Sequence, residues 1–599
     1  MKYLLCGINA KYIHSNLAIH CLKSYAKKWG SAGMAGAEIE LCEYTINHYM
    51  DQLLQALYSA GADILVLSCY IWNVSVIKEL TGEMKKILPG LEIWVGGPEV
   101  SYNTVCFLRE NPGVDLVMRG EGEELFTRLV ELREAYGDRP GFVEKEDLSA
   151  LKGIAYRKEG HIIDQGMAPC VDLNQVPFVY EDFGLFKNKI LYYETSRGCP
   201  FCCSYCLSSV DEKVRFRSSD LVEKELDAFL EAKVPQVKFV DRTFNCNKRH
   251  AMFIWNYIKD HDNGLTNFHF EIAGDLLDED SFTLFQQMRP GLIQLEIGVQ
   301  STNPATLAAI RRKMDLKQIF SHVDRIRSMG NIHQHLDLIA GLPYENYEQF
   351  GKSFDDLYVH EPDQLQLGFL KVLKGTYMEK KAGDYGIQYR KESPYEVLGT
   401  RWMSYGDLLK LKGVEELTEA YYNSGQFHCS LRYAVPAFSG PFAFFRAFSR
   451  YYRRQGAHLR SHSRLARYEI LRDFLMESGI NFPFLDQMLV MDLYLREKAK
   501  ARPAWAGKAD RYRDFFKKMY REQGEILFPG LTASGTYDSK KMAGKSHMEI
   551  FSLDMKTYFE TGEIREGTFC CLFDYQDRDP LSHNARLVCI EVPAGTFNT

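Results

Sequence analysis

The sequence predicts an α/β protein in three parts: a doubly wound, flavodoxin-like parallel sheet, then a partial (β/α)6 TIM-like barrel, then a mostly helical C-terminal domain. Three observations carry this. Five short apolar runs alternate with amphipathic stretches over roughly the first 135 residues. Six more runs, separated by longer helical patterns, follow between residue 188 and about 375. Beyond 395 the pattern is helical and rich in aromatic residues. Alternation of this kind builds parallel sheets, because each parallel pair needs a crossover.

In the first part the strand runs are Tyr3–Ile8, Glu38–Tyr44, Asp63–Tyr70, Glu92–Val95 and Val114–Met118. Helical patterns fall at about 15–29, 47–60, 74–88, 103–110 and 122–135. Ligands of such sheets bind outside the carboxyl ends of the strands, here Asn9–Ser15, Ser68–Asn73, Gly96–Tyr102 and Arg119–Glu123. The breaker cluster Tyr136–Gly141 closes this domain at about 137. Residues 138–187 read as a linker with a β-hairpin, Gly153–Arg157 and His161–Asp164.

The second part, 188–394, has strand candidates Ile190–Thr195, Gln236–Asp241, Phe268–Ala273, Leu292–Gln300, His333–Ala340 and Gln364–Val372. Catalytic groups of such a barrel sit at the carboxyl ends of its strands. The third part, 395–599, is mostly helical in pattern and ends on a strand-like run, Arg586–Val592.

Composition excludes some functions. The net charge of −6 argues against a chain-wide nucleic-acid coat. The longest apolar stretch, Ile64–Ile77, is broken by Ser68, Asn73 and Ser75, short of the roughly 18 to 20 apolar residues of a membrane span. Tyr3–Ile8 is too short for a signal-peptide core, so a cytoplasmic protein without membrane contact is expected. The 15 cysteines are odd in number, and a reducing compartment disfavours disulfides. Cys6, Cys42 and Cys69 lie in apolar runs and read as small buried residues.

One group of cysteines differs. After Ile190–Thr195 the chain reads Arg197-Gly-Cys199-Pro-Phe-Cys202-Cys203-Ser-Tyr-Cys206. Cys199, Cys203 and Cys206 give C-x3-C-x2-C, a spacing that random placement yields in roughly 1% of such chains. Three thiolates on one tight loop can hold three irons of a cubane and leave the fourth open. The alternative, a zinc knuckle, needs a fourth ligand, yet no Cys or His follows within 30 residues and Cys202 abuts Cys203.

The segment resembles the signature of the radical S-adenosylmethionine (SAM) enzymes. The resemblance implies a four-iron four-sulfur cluster on Cys199, Cys203 and Cys206. One electron from it splits SAM to methionine and a 5′-deoxyadenosyl radical. Tyr205, before the last cysteine, takes the place of the family's aromatic residue. Further segments are similar to the family's SAM-contacting strand ends: Glu296-Ile-Gly-Val-Gln300-Ser301 and Ile339-Ala-Gly341-Leu-Pro343. Arg312 resembles a basic residue that meets the SAM carboxylate, and Asp241 lies in a second-strand motif, Phe239–Asn245, of cobalamin-linked members.

A doubly wound domain before the barrel is similar to the cobalamin-binding class of these enzymes. Its loops around the corrin would here be Ser68–Asn73, with Trp72 or Asn73 beneath the cobalt, Gly96-Gly97-Pro98-Glu99, and Gly120-Glu121. Glycine lets backbone N–H groups approach a ligand closely. The D-x-H-x-x-G motif that brings a histidine to cobalt is absent; His14 and His20 do not fit it. Arg446–Arg472 holds eight arginines with interleaved aromatics, either a solvated helix face or a surface for RNA or an anion. The resemblance implies cobalamin-dependent methyl transfer to an unactivated carbon of a small-molecule or peptide substrate, with flavodoxin or ferredoxin as reductant. The rivals are a non-methylating radical oxidoreductase or cyclase, an RNA methylthiotransferase, and a non-enzymatic cobalamin sensor.

Overall fold

A computed structural model describes residues 1–597 apart from 138, 140, 212, 509, 594 and 595, and of Asp510 only the backbone. Part of the Tyr136–Gly141 breaker cluster therefore lies outside the described residues.

The first sheet contains β1 (Lys2–Asn9), β2 (Glu38–Thr45), β3 (Ile64–Ser68), β4 (Glu92–Gly96) and β5 (Leu116–Met118). Their order is β2-β1-β3-β4-β5, all parallel. Helices Leu17–Trp29 and Glu123–Tyr136 cover one face, around Tyr3, Leu5, Val66 and Trp94. Met50–Ser59, Val74–Ile87 and Thr104–Glu110 cover the other, around Leu4, Leu65 and Ile93. Covered on both faces, the strands are apolar throughout: every residue of β3 is buried.

The hairpin is part of this sheet rather than a free linker. Strands β6 (Ile154–Lys158) and β7 (His161–Asp164) extend it antiparallel from β5. Their two-residue turn, Glu159-Gly160, has positive φ at both positions, 50° and 77°, which matches the twist of the flanking strands.

The barrel strands follow: β8 (Leu191–Tyr193), a small ribbon of β9 (Ser196–Arg197) and β10 (Arg215–Phe216), then β11 (Gln236–Phe239), β12 (Asn267–Ile272), β13 (Ile293–Gln300), β14 (His333–Ala340) and β15 (Gln364–Phe369). The six long-range partners run β8-β11-β12-β13-β14-β15, all parallel, with no bond between β15 and β8. This is the open six-stranded barrel expected. It joins the first sheet through a bridge between His14 and Ile190.

After a short ribbon of β16 (Gln388–Tyr389) and β17 (Val397–Gly399), the C-terminal region is mostly helical and packs against the barrel's outer face. It adds a three-stranded antiparallel sheet of β18 (Ser546–Leu553), β19 (Glu566–Arg578) and β20 (Ala585–Glu591), of which only the last strand is visible in the sequence pattern. Cys571 and Cys589 face each other on β19 and β20 in a disulfide, a departure from the expectation of free thiols. Among the described residues no helix is long and apolar enough to cross a membrane.

Candidate functional site

The cysteine loop leaves β9 and is pinned by backbone bonds on three sides. Cys199 N donates to Asp211 O (3.1 Å), Ser204 N to Ile310 O (2.9 Å), and Met378 N to Ser204 O (2.7 Å). Gly198 makes this path possible: its φ is +94°, and a Cβ there would lie 2.6 Å from Lys213 O. Cys199 and Cys203 are buried, Cys206 is half-buried, and all three line one cavity of about 400 Å³. Exposed Cys202 does not line it.

The donor set fits a four-iron four-sulfur cluster. Burial pushes the Cys203 thiol up; Arg312, with Nη1 3.5 Å from Sγ, opposes this, while Cys206 and Cys199 add to it. A cationic cluster would stabilise the Cys203 thiolate against that burial. Thr243 Oγ1 lies 3.5 Å from Cys199 Sγ.

Four more of the expected SAM residues, Tyr205, Glu296, Gln300 and Arg312, line the same cavity. Burial opposes ionisation of Glu296, but His269 at 3.0 Å and Lys238 at 3.2 Å outweigh it and hold its carboxyl at about 2. Gln300 has φ +74° beside a register break between Gly298 and Gln300, a strained turn of the kind found at ligand sites.

Three other expected cofactor residues do not line this cavity. Asp241 is fully buried and accepts from Thr195 N (3.0 Å), Thr195 Oγ1 (2.7 Å) and Ser196 Oγ (2.6 Å). Burial raises it to about 6 despite those bonds, and it braces the strand ends beneath the cysteines. Ser301 is buried and donates to Glu345 (2.6 Å). Gly341 serves a close approach, since a Cβ there would lie 2.7 Å from Val397 Cγ1.

Sequence reasoning missed the barrel's inner wall. Glu271, Asp337, Gln366 and Lys371 line the cavity from β12, β14, β15 and the segment after β15. Burial pushes Glu271 and Asp337 up; Arg242 and Lys238, respectively, lower them, and nearby Glu296 raises both. Both stay protonated to higher pH than ordinary carboxyls and can donate hydrogen bonds inward.

A second cavity, about 620 Å³, lies between the first sheet and the barrel. Ser68, Trp72, Gly96, Gly97, Pro98, Gly120 and Glu121 line it, as do Tyr192, Glu194 and Arg197 from the barrel side. Gly97, at φ +119°, has room for no side chain: its Cβ would fall 2.4 Å from Cys69 O. Trp72 stacks on Tyr70 (centroids 4.4 Å apart) and donates to Ile8 O (3.1 Å). This apolar cleft with a glycine-lined rim fits a large flat ligand such as a corrin.

Two expected wall residues are not walls. Asn73 is fully buried; its Nδ2 donates to Ile8 O and Ser68 O (both 2.9 Å) and its Oδ1 accepts from Tyr70 N (2.8 Å), so it shapes the loop that presents Trp72. Glu99 is buried and turns away from the cleft to Lys374 (2.9 Å) and Tyr395, tying the first domain to the barrel's end. His14 lines the cleft with Nδ1 2.6 Å from Tyr192 Oη, and burial holds it below the usual histidine range. His20 instead pairs with Glu43 at 3.0 Å.

The two cavities share one lining residue. Arg242, the residue after Asp241, lines both. Arg197, two residues before Cys199, bonds Glu194 (2.9 Å), Glu121 (3.4 Å) and Glu123, so the cysteine loop is tied to the strand-end loop of the first sheet. Glu121 also accepts from Val171 N (2.6 Å) and Arg215 (3.1 Å).

No second thiol trio accompanies the first among the described residues: Cys6 and Cys42 oppose each other within β1 and β2, Cys69 is buried, and Cys106 sits on a helix beside Glu110. In the arginine-rich segment, Phe444, Phe445, Phe448, Tyr451 and Tyr452 are buried and offer no stacking surface. Arg446, Arg454, Arg464 and Arg472 pair with Glu348, Glu477, Glu497 and Asp486.

Comparison with known proteins agrees with this geometry. A B12 binding domain model matches residues 3–130, the Radical SAM superfamily model matches 193–357, and a model described as a protein of unknown function (DUF4080) matches 383–573. An uncharacterized methyltransferase of Pyrococcus horikoshii is 26% identical over 283 residues, covering 44% of this chain and 57% of that protein. The cobalamin-dependent radical SAM methyltransferase TokK of Streptomyces tokunonensis is 24% identical over 363 residues, covering 53% and 51%. The chain thus spans about half the length of these curated relatives. The fold is shared with OxsB, a cobalamin-dependent SAM radical enzyme solved with aqua-cobalamin and SAM: TM-score 0.54, 16% identity, 82% of this chain and 83% of that one. Three domains matched in this order, with a thiol trio at the head of the barrel, give the chain a radical SAM domain with a B12 binding domain before it and a domain of unknown function after it.

Proposed function

We propose that this enzyme transfers a methyl group from cobalamin to an unactivated carbon of its substrate. The observation that carries the reading is the meeting of the three-thiol cavity and the glycine-rimmed cleft at one side chain, Arg242. A carbon held there lies between a radical source and a methyl donor. When bound, the cluster with SAM supplies the 5′-deoxyadenosyl radical and cobalamin supplies the methyl group.

The chain's own residues do the positioning. Cys199, Cys203 and Cys206 hold the cluster, and Arg312 keeps positive charge beside Cys203 while donating to Gly298 O. Glu296, ionised, would accept hydrogen bonds from N–H or O–H groups of bound SAM, and Glu271 and Asp337 could donate to polar atoms of a ligand in the cavity. Phe201, Phe369 and Leu373 line the same cavity with apolar surface, which limits water around a reactive radical. Trp72 covers one face of the cobalamin cleft. We place the enzyme in the cytoplasm, with flavodoxin or ferredoxin as electron donor and a small molecule or peptide as substrate.

Mass spectrometry of anaerobic, reduced reactions tests the proposal. Methyl transfer yields S-adenosylhomocysteine together with 5′-deoxyadenosine. 5′-Deoxyadenosine without S-adenosylhomocysteine would overturn it in favour of a non-methylating oxidoreductase or cyclase.

A further inference from the structure

A notch of about 230 Å³ that shares no lining residue with either cavity opens where the barrel helix Tyr347–Tyr358 meets the C-terminal helices Tyr405–Leu417 and Pro441–Arg454. Four cations line it: Lys410, Arg446, Arg450 and Arg453. Among the described residues two carboxylates pair with them. Asp407 lies 2.8 Å from Lys410, and the exposed Glu348 lies 3.5 Å from Arg446. Arg453 donates to a backbone carbonyl, Leu409 O, at 3.1 Å. Arg450 has no hydrogen bond or ion pair among the described residues. The notch therefore keeps about two uncompensated positive charges.

Two hydroxyls point the same way. Tyr347 Oη is buried without a hydrogen-bond partner. Ser449 is 6% exposed, lines the notch, and its hydroxyl has no partner among the described residues. Buried polar groups are normally satisfied, so the orphaned Tyr347 hydroxyl beside unpaired cations marks a place for an acceptor-rich ligand, which the Ser449 hydroxyl also faces. Gly413 lets the helices close this far, since a Cβ there would fall 2.2 Å from Ser449 Oγ.

We propose that this notch is a binding site for a phosphate group, free or as a monoester. A dianion balances the charge, its oxygens accept from the guanidinium forks and both hydroxyls, and the volume lies below the roughly 300 Å³ at which pockets take drug-sized ligands. A nucleic-acid strand fits poorly, because the aromatic side chains of the same helix are buried and cannot stack on bases. A merely solvated basic face would have neither the concavity nor the buried, unpartnered Tyr347 hydroxyl. The site sits where the DUF4080 region meets the barrel, on the helix that begins two residues after the buried Glu345.

Equilibrium dialysis of the full chain against radiolabelled inorganic phosphate, at about 0.15 M chloride to screen loose association, tests it. Saturable uptake of one phosphate per chain is expected, weakened at least tenfold by Arg450→Gln and unchanged by Arg460→Gln, which alters the same arginine run outside the notch. Lys410→Gln is the second variant should Arg450→Gln not fold. Competition by glucose 6-phosphate that is tighter than by phosphate would assign the site to a phosphomonoester; equal or weaker competition would assign it to the free anion. No saturable uptake in the low-millimolar range, or equal loss in the Arg450 and Arg460 variants, would overturn the proposal. So would binding of a short RNA that is indifferent to Arg450→Gln while phosphate fails to bind.

Discussion

The five parallel strands of the first sheet and the six of the barrel face different surroundings. Strand β3, Ile-Leu-Val-Leu-Ser, is buried on both sides between helix layers. Strand β13 alternates, with Ile293, Leu295, Ile297 and Val299 packed outward and Gln294, Glu296 and Gly298 turned to the interior. In the first sheet only strand ends and loops are free to hold a ligand. In the barrel every second residue of the strand joins them, which is why Glu271, Glu296, Asp337 and Gln366 stand around the cavity.

The contrast can be broken in four ways. The largest effect belongs to the cysteine loop: Cys203→Ala should abolish 5′-deoxyadenosine formation in anaerobic assays and leave a protein with the wild-type unfolding midpoint. Retained product would remove the cluster assignment. Next is Arg197→Met, which strips the common cation from Glu121, Glu123 and Glu194. Removing one partner of such a buried network costs about 3–5 kcal/mol, measurable by denaturant unfolding, and 5′-deoxyadenosine should outlast S-adenosylhomocysteine in the products.

A paired substitution then addresses the two sheets directly. Leu65→Ala, in the apolar first sheet, should cost about 2–5 kcal/mol of stability with little change in SAM cleavage per folded molecule. Asp337→Asn, on the barrel's inner wall, should leave stability almost unchanged, because the amide oxygen can still face His335 Nε2, which lies 3.3 Å from Asp337 Oδ1. It should slow SAM cleavage by roughly tenfold or more, the worth of one strong polar contact at about 1.5–3 kcal/mol. If stability fell as far as in the Leu65 variant, the inner wall would be a core and not a binding surface.

The smallest effect is in pH. Glu296 is held at about 2, below its ordinary value near 4.5. A lowered carboxyl adds stability that is complete above 4.5 and lost as pH falls toward 2, at most about 3 kcal/mol. The stability difference between wild type and Glu296→Gln should therefore shrink steadily below pH 4.5; a constant difference would separate Glu296 from His269 and Lys238.

Much of this was legible in sequence, and the misses share a cause. The strands and the cysteine loop rest on local signals, apolar runs and a fixed spacing. The expected ligand-facing residues depended on side-chain direction, which alternates along an extended chain. Asp241, Ser301, Asn73 and Glu99 point away, while the residues beside them, Arg242, Gln300, Trp72 and Pro98, line a cavity. The charged inner-wall residues alternate with apolar ones just as a solvated face does, so nothing in β12 or β14 marks them as interior. The antiparallel sheet β18–β20 hides for another reason: Ser546–Leu553 and Glu566–Arg578 mix polar and apolar residues, and only pairing across the chain makes them strands.

Arg197 carries a last consequence. Its carboxylate partners sit largely out of water, so dissolved salt screens them poorly. The separation between the cysteine loop and the strand-end loop of the first sheet is thus set by an electrostatic rivet that ionic strength hardly loosens. A barrel expressed without its leading domain would keep the rivet's head and lose two of its three anchors.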